Sequence, residues 1–226
     1  MCFSVEADLA AGGLLVPLGV VALRGAATAG DRRLLPLTSL PVLFGLHQLV
    51  EALVWAGVDG DVSAGLARAA AWVYVGYALV VLPLLLPVAV WLVAERRARP
   101  RVVPFVALGA VTAAAMTVTT ARHGLTVVPY DHAIGYFVGL GPDDWLWTST
   151  YVVACMGACL ASGHRLLVGF GVVNLVGLTV VAVAYAEALA SLWCVYAAVS
   201  SVLVVAFVLG RARAAATEQD LQEATA

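Results

Sequence analysis

Seven long apolar runs follow one another along this chain of 226 residues and leave little sequence between them. A helix that crosses a membrane needs about 20 consecutive apolar residues, because the hydrocarbon core is about 30 Å thick. The runs cover residues 8–23, 36–57, 69–94, 102–121, 146–161, 165–186 and 188–209. With 63% hydrophobic and 12% charged residues, the chain has too few polar residues to form the surface of a water-soluble domain. We therefore predict an all-α, polytopic membrane protein with a seven-transmembrane helix bundle over residues 1–213. A bundle of six spans, with one run merged or dropped, is the alternative.

The arginines give this bundle a direction across the membrane. The chain contains no lysine, and ten of its 12 arginines lie in alternate connections or after the last run: Arg24, Arg32, Arg33, Arg96, Arg97, Arg99, Arg101, Arg165, Arg211 and Arg213. Only Arg68 and Arg122 lie on the other side. Because positive residues favour the cytoplasmic side, we predict an outside N-terminus and a cytoplasmic C-terminus. Residues 214–226 then form a polar, acidic cytoplasmic tail.

The surroundings of the chain also follow from its composition. The lysine-free sequence, rich in alanine and valine, suggests a bacterial genome of high GC content, so we predict the bacterial inner membrane. Residues 1–8 contain no basic residue, and the first run is therefore expected to be retained rather than cleaved as a signal peptide. The predicted partner is the lipid bilayer, and no nucleic-acid partner is expected.

The second run carries a histidine and a glutamate, His47 and Glu51, one helical turn apart. Residues four positions apart share one helix face, and a rise of about 1.5 Å per residue places them about 6 Å apart in depth. A carboxylate at the centre of such a helix costs roughly 2.5–3.5 kcal/mol and is seldom found without a partner or a function. We predict that this face looks into the outer half of the bundle, with both residues as candidate catalytic groups.

Other polar groups on the predicted outer side are candidates for the same site. Ligand-binding candidates are Glu6, Asp131, His132, Glu187 and Trp193, and a possible disulfide or thiol pair is Cys2 with Cys194. The longest outer loop, residues 122–145, is apolar and rich in glycine in its middle. It is expected either to cover the mouth of the bundle or to lie passively on its surface.

Three interpretations of the His47–Glu51 pair stay open. With His132 the pair could hold a divalent metal such as zinc, because histidine and carboxylate oxygens are common zinc ligands. The pair could instead bind a ligand or carry protons, or it could only lock two helices together through a hydrogen bond. The absence of lysine excludes a retinal Schiff base, since that linkage requires a lysine amine.

Three segments together resemble an uncharacterised bacterial family of multi-pass membrane proteins whose members begin Met-Cys-Phe-Ser. These segments are Met1 to Ser4, the stretch from Leu40 to Trp55, and the stretch from Ser191 to Tyr196. The resemblance extends over nearly the whole chain. It implies an integral membrane protein and brings no activity with it.

A looser similarity is to seven-helix membrane hydrolases of the alkaline ceramidase type, which hold zinc among helix histidines. This chain has Cys194 and Tyr196 where such proteins carry paired histidines on the last span. The hypotheses are therefore a metal-dependent membrane-embedded hydrolase, a small-solute or proton-coupled transporter or sensor using Glu51, and a structural or partner-binding membrane protein.

Overall fold

The computed structural model describes residues 4–28, 30–131, 133–139, 144–184 and 201–210. Within these residues, helices account for most of the chain and one β-hairpin interrupts them. The α-helices are α1 (Val5–Thr28), α2 (Leu35–Asp59), α3 (Ala64–Val75), α4 (Leu82–Val93), α5 (Arg99–His123), α6 (Asp144–Ala161) and α7 (Arg165–Ala184). A 3-10 turn (Arg32–Leu34) precedes α2, a π-helical segment (Gly76–Val81) joins α3 to α4, and residues 202–210 are helical.

Among the described residues, four helices are long and apolar enough to cross a membrane: Val5–Thr28, Arg32–Asp59, Ala64–Val93 and Arg99–His123. These correspond to the first four apolar runs, and each helix is longer than the run that predicted it. The fifth and sixth runs form shorter apolar helices, Trp145–Ala161 and Arg165–Val181. The seventh run lies largely outside the described residues, so the count of seven spans and the direction across the membrane stay predictions.

Helices α1 and α2 approach each other closely through glycines. A Cβ atom added at Gly19 would lie 2.5 Å from the backbone nitrogen of Val42, and one at Gly45 would lie 2.9 Å from that of Val16. Small residues at an interface let two backbones come together, which is how helices gain packing energy in a membrane. The contacts make the two helices antiparallel neighbours.

The last three carbonyl groups at the end of α4 accept hydrogen bonds from side chains outside that helix. Arg99 donates from Nε to the carbonyl of Ala94 (3.3 Å) and from Nη2 to that of Leu92 (3.1 Å). The ring nitrogen Nε2 of His164 lies 2.9 Å from the carbonyl of Val93. The last carbonyls of a helix have no partner within the helix, so these bonds complete its hydrogen bonding.

The connections between α1 and α2, between α4 and α5, and between α6 and α7 lie at one end of the bundle, which we call the arginine end. Leu34 of the 3-10 turn is buried in the same apolar cluster as Val90, Val93 and Ala94. A Cβ at Gly163, in the turn between α6 and α7, would lie 3.3 Å from the side chain of Glu95. The opposite end, the hairpin end, carries the two β-strands.

The hairpin is the main departure from the all-α prediction. Strands β1 (Thr126–Tyr130) and β2 (Ala133–Phe137) pair antiparallel, with Thr126 opposite Phe137 and Tyr130 opposite Ala133. Valine, isoleucine and tyrosine favour extended backbone, and only two residues separate the strands. Ile134 is fully buried in a cluster with Val54 and Trp55 of α2 and with Ala70 and Ala71 of α3. The hairpin therefore packs onto the bundle.

The close approach of α1 and α2 can be tested with one added methyl group. We expect Gly19→Ala to lower the free energy of unfolding by about 1–3 kcal/mol, because the methyl group would push against the backbone of Val42. Thermal unfolding of the protein in a mild detergent measures the effect. Gly13→Ala is the control, since nothing lies within 4 Å of a Cβ there. Equal midpoints for the two variants would contradict the proposed packing.

Candidate functional site: a buried cluster of histidine, glutamate and tyrosine

His47 and Glu51 both lie on the buried face of α2. Glu51 has no exposed surface, and His47 is 3% exposed. The intervening Gln48 is also fully buried, whereas Leu53 on the opposite face is exposed. A buried face of this kind keeps polar groups away from lipid, where they would be costly.

Aromatic rings stack in a column that contains His47. Its imidazole ring lies 3.9 Å from the ring of Tyr74, centroid to centroid, with 16° between the planes. Tyr74 stacks in turn on Tyr136 of β2, at 4.3 Å and 18°. The ring of Tyr77 lies 4.8 Å from His47 and meets Phe44 edge to face at 6.1 Å. The column therefore runs from the hairpin, through α3, to the buried face of α2.

The hairpin also reaches Glu51 directly. The hydroxyl of Tyr136 donates a hydrogen bond to Glu51 Oε1, with 3.5 Å between the oxygens. This distance is long for a hydroxyl donor, so the bond is weak in the geometry described. Tyr136 thus contacts Glu51 by a hydrogen bond and Tyr74 by stacking, and Tyr74 separates it from the ring of His47.

The π-helical segment sets the position of Tyr77. The backbone N–H of Leu82 donates to the carbonyl of Tyr77, five residues earlier, instead of four. Pro83 follows immediately, and a proline has no N–H to give and crowds the carbonyl four residues before it. A widened turn relieves that crowding, and π-helical turns are often found at functional sites. Tyr74 and Tyr77, three residues apart, both contact the ring of His47.

A second buried acid, Asp8, lies on α1 at the level of this site. Positions on the two helices match turn by turn, since Gly12 faces Leu49 and Gly19 faces Val42. One turn beyond Gly12 brings Asp8 to the level of residues 52 and 53, within one turn of Glu51. Asp8 has no exposed surface. Its position at the predicted outer start of the first span makes Asp8 a candidate partner of the His47–Glu51 pair.

Two ring nitrogens at the site are buried. Nε2 of His47 and Nε1 of Trp55 have no hydrogen-bond partner among the described residues. Buried nitrogen atoms usually have a partner, so a group without one is a candidate for binding a ligand, an ion or water. His47 and Trp55 are eight residues apart in α2 and therefore lie near the same face of that helix.

The other predicted site residues do not join this cluster in the described part of the chain. Glu6 and Asp131 are exposed, at the start of α1 and after β1. Five predicted residues lie outside the described residues: Cys2, His132, Glu187, Trp193 and Cys194. Among the residues described, no group of three or more His, Cys, Asp and Glu side chains could hold a metal ion. The zinc prediction depends on His132 and stays a prediction.

Three tyrosines of the cluster were not predicted from the sequence. Tyr74 and Tyr77 stand three positions apart in an otherwise apolar run, which was a usable signal for one polar helix face. Tyr136 belongs to a valine- and isoleucine-containing stretch around a two-residue gap, a pattern typical of a hairpin. The contact of Tyr136 with Glu51 joins segments 85 residues apart, and no local pattern encodes it.

The fold and the buried cluster together define the class: a helical protein with several candidate membrane spans and a polar site between α2, α3 and the hairpin. Residues 1–220 match DUF6629, a family of unknown function, and the chain belongs to that family. No curated protein and no solved structure matches the chain.

The Tyr136–Glu51 contact can be tested with Tyr136→Phe, which keeps the ring and removes the hydroxyl. Hydrogen bonds between membrane helices are worth about 0.6 kcal/mol on average, so we expect roughly threefold faster amide hydrogen exchange in residues 126–137. Tyr130→Phe, in the same hairpin, is the matched control. Equal exchange rates in the wild type and in Tyr136→Phe would show that the hydroxyl does not hold the hairpin.

Proposed function

We propose that this protein is a proton-coupled transporter or sensor of the membrane, in which Glu51 is the group that binds the proton or cation. The observation that carries the proposal is the hydrogen bond from Tyr136 to Glu51, because it links a fully buried carboxyl group to a segment at the end of the bundle. Support also comes from the cost of a carboxylate inside a membrane helix, roughly 2.5–3.5 kcal/mol, which a chain seldom retains without use.

Protonation of Glu51 changes the strength of that hydrogen bond. A carboxylate accepts the bond from Tyr136 with charge assistance, and such bonds are roughly twice as strong as neutral ones. A protonated carboxyl group accepts a weaker bond, so the hairpin is held less firmly. Proton binding at Glu51 is thereby coupled to the position of the hairpin. The excess of arginines at the other end favours an outward-facing hairpin.

Proton movement through the purified protein tests this function. In liposomes that contain a trapped pH-sensitive dye, a potassium diffusion potential should drive proton entry. Glu51→Gln keeps the shape of the side chain and cannot ionise, so we expect the proton flux to be lost. Asp59→Asn, an exposed acid on the same helix, should leave it unchanged.

An infrared titration separates the transporter from the sensor. The carbonyl absorption of protonated carboxyl groups should grow on acidification, and the component that belongs to Glu51 should be missing in Glu51→Gln. Flux with this band indicates a transporter, and the band without flux indicates a sensor. If neither depends on Glu51, the proposal is wrong.

A metal-dependent membrane-embedded hydrolase is the second candidate, and the buried nitrogen Nε2 of His47 favours it. Imidazole nitrogen and carboxylate oxygen are both zinc ligands, and His47 and Glu51 share the buried face of α2. Elemental analysis of the purified protein should then find a stoichiometric divalent metal. His47→Phe should lose the metal, yet it keeps a ring that can stack on Tyr74 and should remain folded. Metal content that is absent, or unchanged in His47→Phe, excludes this candidate.

A purely structural role predicts a different pattern. Here His47→Phe, which preserves the stacking, should behave like the wild type in every assay. His47→Ala should lower the free energy of unfolding by about 2–5 kcal/mol, because it leaves a cavity beside Tyr74. Any loss of flux or metal in a stably folded His47→Phe variant speaks against this role.

A further inference from the structure

The arginine end of the bundle has a strong excess of positive charge, independent of the site around Glu51. Seven arginines of the described residues lie in or beside its connections: Arg32, Arg33, Arg96, Arg97, Arg99, Arg101 and Arg165. Only two acids, Asp31 and Glu95, lie in the same connections. Four of the arginines fall within six residues at the corner between α4 and α5. A cluster of this density beside an apolar helix attracts anionic headgroups.

One arginine of this corner is bound within the protein, and the other three have exposed guanidinium groups. Arg99 is bound to the carbonyls at the end of α4 and lies over the ring of Trp91, with 6.0 Å from Cζ to the ring centroid. Arg96, Arg97 and Arg101 are exposed, and within the described part of the chain no hydrogen bond or ion pair holds their side chains. Arginine presents a planar set of donors that suits phosphate oxygens.

The backbone N–H groups around the start of α5 are already occupied. The N–H of Ala98 and that of Arg99 both donate to the carbonyl of Glu95, and the N–H of Arg101 donates to that of Ala98. Pro100 has no N–H to offer. An anion at this corner would therefore be held by the arginine side chains, not by the start of α5.

An apolar stripe leads along the helix to the same corner. Val81, Leu84 and Trp91 are each 37–45% exposed, and Val88 between them is partly exposed. Their spacing of three or four residues puts them on one face of the helix. The stripe ends at Trp91, directly beneath Arg99, so an apolar surface and a cationic one adjoin.

We propose that this corner binds an anionic phospholipid, with its phosphate against Arg96, Arg97 and Arg101 and an acyl chain along the stripe from Val81 to Trp91. Charge complementarity selects the headgroup, and the adjoining stripe selects a lipid over a free anion. Trp91 lies at the boundary, as tryptophan does at membrane interfaces.

The experiment compares lipids added to the full-length protein in neutral detergent. Phosphatidylglycerol should raise the thermal midpoint and appear as a bound adduct in native mass spectrometry, while phosphatidylcholine should do neither. Each arginine near an anionic surface changes affinity by about fivefold, so the triple variant Arg96→Gln, Arg97→Gln, Arg101→Gln should bind on the order of 100-fold more weakly. Arg99 is left intact because it completes α4.

The matched control is Arg68→Gln with Arg122→Gln, two exposed arginines at the hairpin end, which should bind phosphatidylglycerol like the wild type. Phosphatidylglycerol with brominated acyl chains should quench the part of the fluorescence that Trp91→Phe removes. The same stabilisation by inorganic phosphate at equal concentration would indicate a free-anion site and overturn the lipid assignment. Undiminished binding by the triple variant, with its midpoint in phosphatidylcholine unchanged, would also overturn it.

Discussion

The carboxyl group of Glu51 must be kept away from lipid, and the hairpin end of the molecule is built around that constraint. Glu51 lies on the buried face of α2, together with His47, Gln48 and Trp55. Helix α3 places Tyr74 against this face, and the hairpin brings the hydroxyl of Tyr136 to the carboxyl group. The described contacts of these polar groups are thus made by tyrosines from two neighbouring elements, α3 and the hairpin.

The two ends of the bundle are closed in different ways. At the arginine end, Arg99 and His164 bind the last carbonyls of α4, so side chains from neighbouring turns complete a helix. At the hairpin end, two short strands cover the bundle through the buried side chain of Ile134, the stacking of Tyr136 on Tyr74 and the hydrogen bond from Tyr136 to Glu51. Few backbone bonds hold a two-stranded hairpin, and local opening is cheapest in such elements. For the proposed function, the hairpin end is therefore the expected entry point for a ligand or a proton.

Features that depend on local sequence patterns could be predicted from the sequence. Length and hydropathy located the first four helices, and the four-residue spacing of His47 and Glu51 indicated one shared face. Contacts between distant segments were not predictable in this way: Tyr136 meets Glu51 across 85 residues, and Asp8 reaches the same level only because Gly12 and Gly19 fix how α1 lies on α2. The π-helical segment was also missed, although the prolines at positions 83 and 87 disfavour a regular α-helix there.

The tight pairing of α1 and α2 has a consequence for biogenesis. Their contacts join residues close in sequence, and contacts of this kind form at low entropic cost, before any that need the later helices. The pair can therefore assemble as a unit while the rest of the chain is still being synthesised. Asp8, one turn from Gly12 on the same face of α1, would then be shielded by α2 from the moment of insertion. Glu51 faces away from α1 and is covered only later, when the hairpin brings Tyr136 to it.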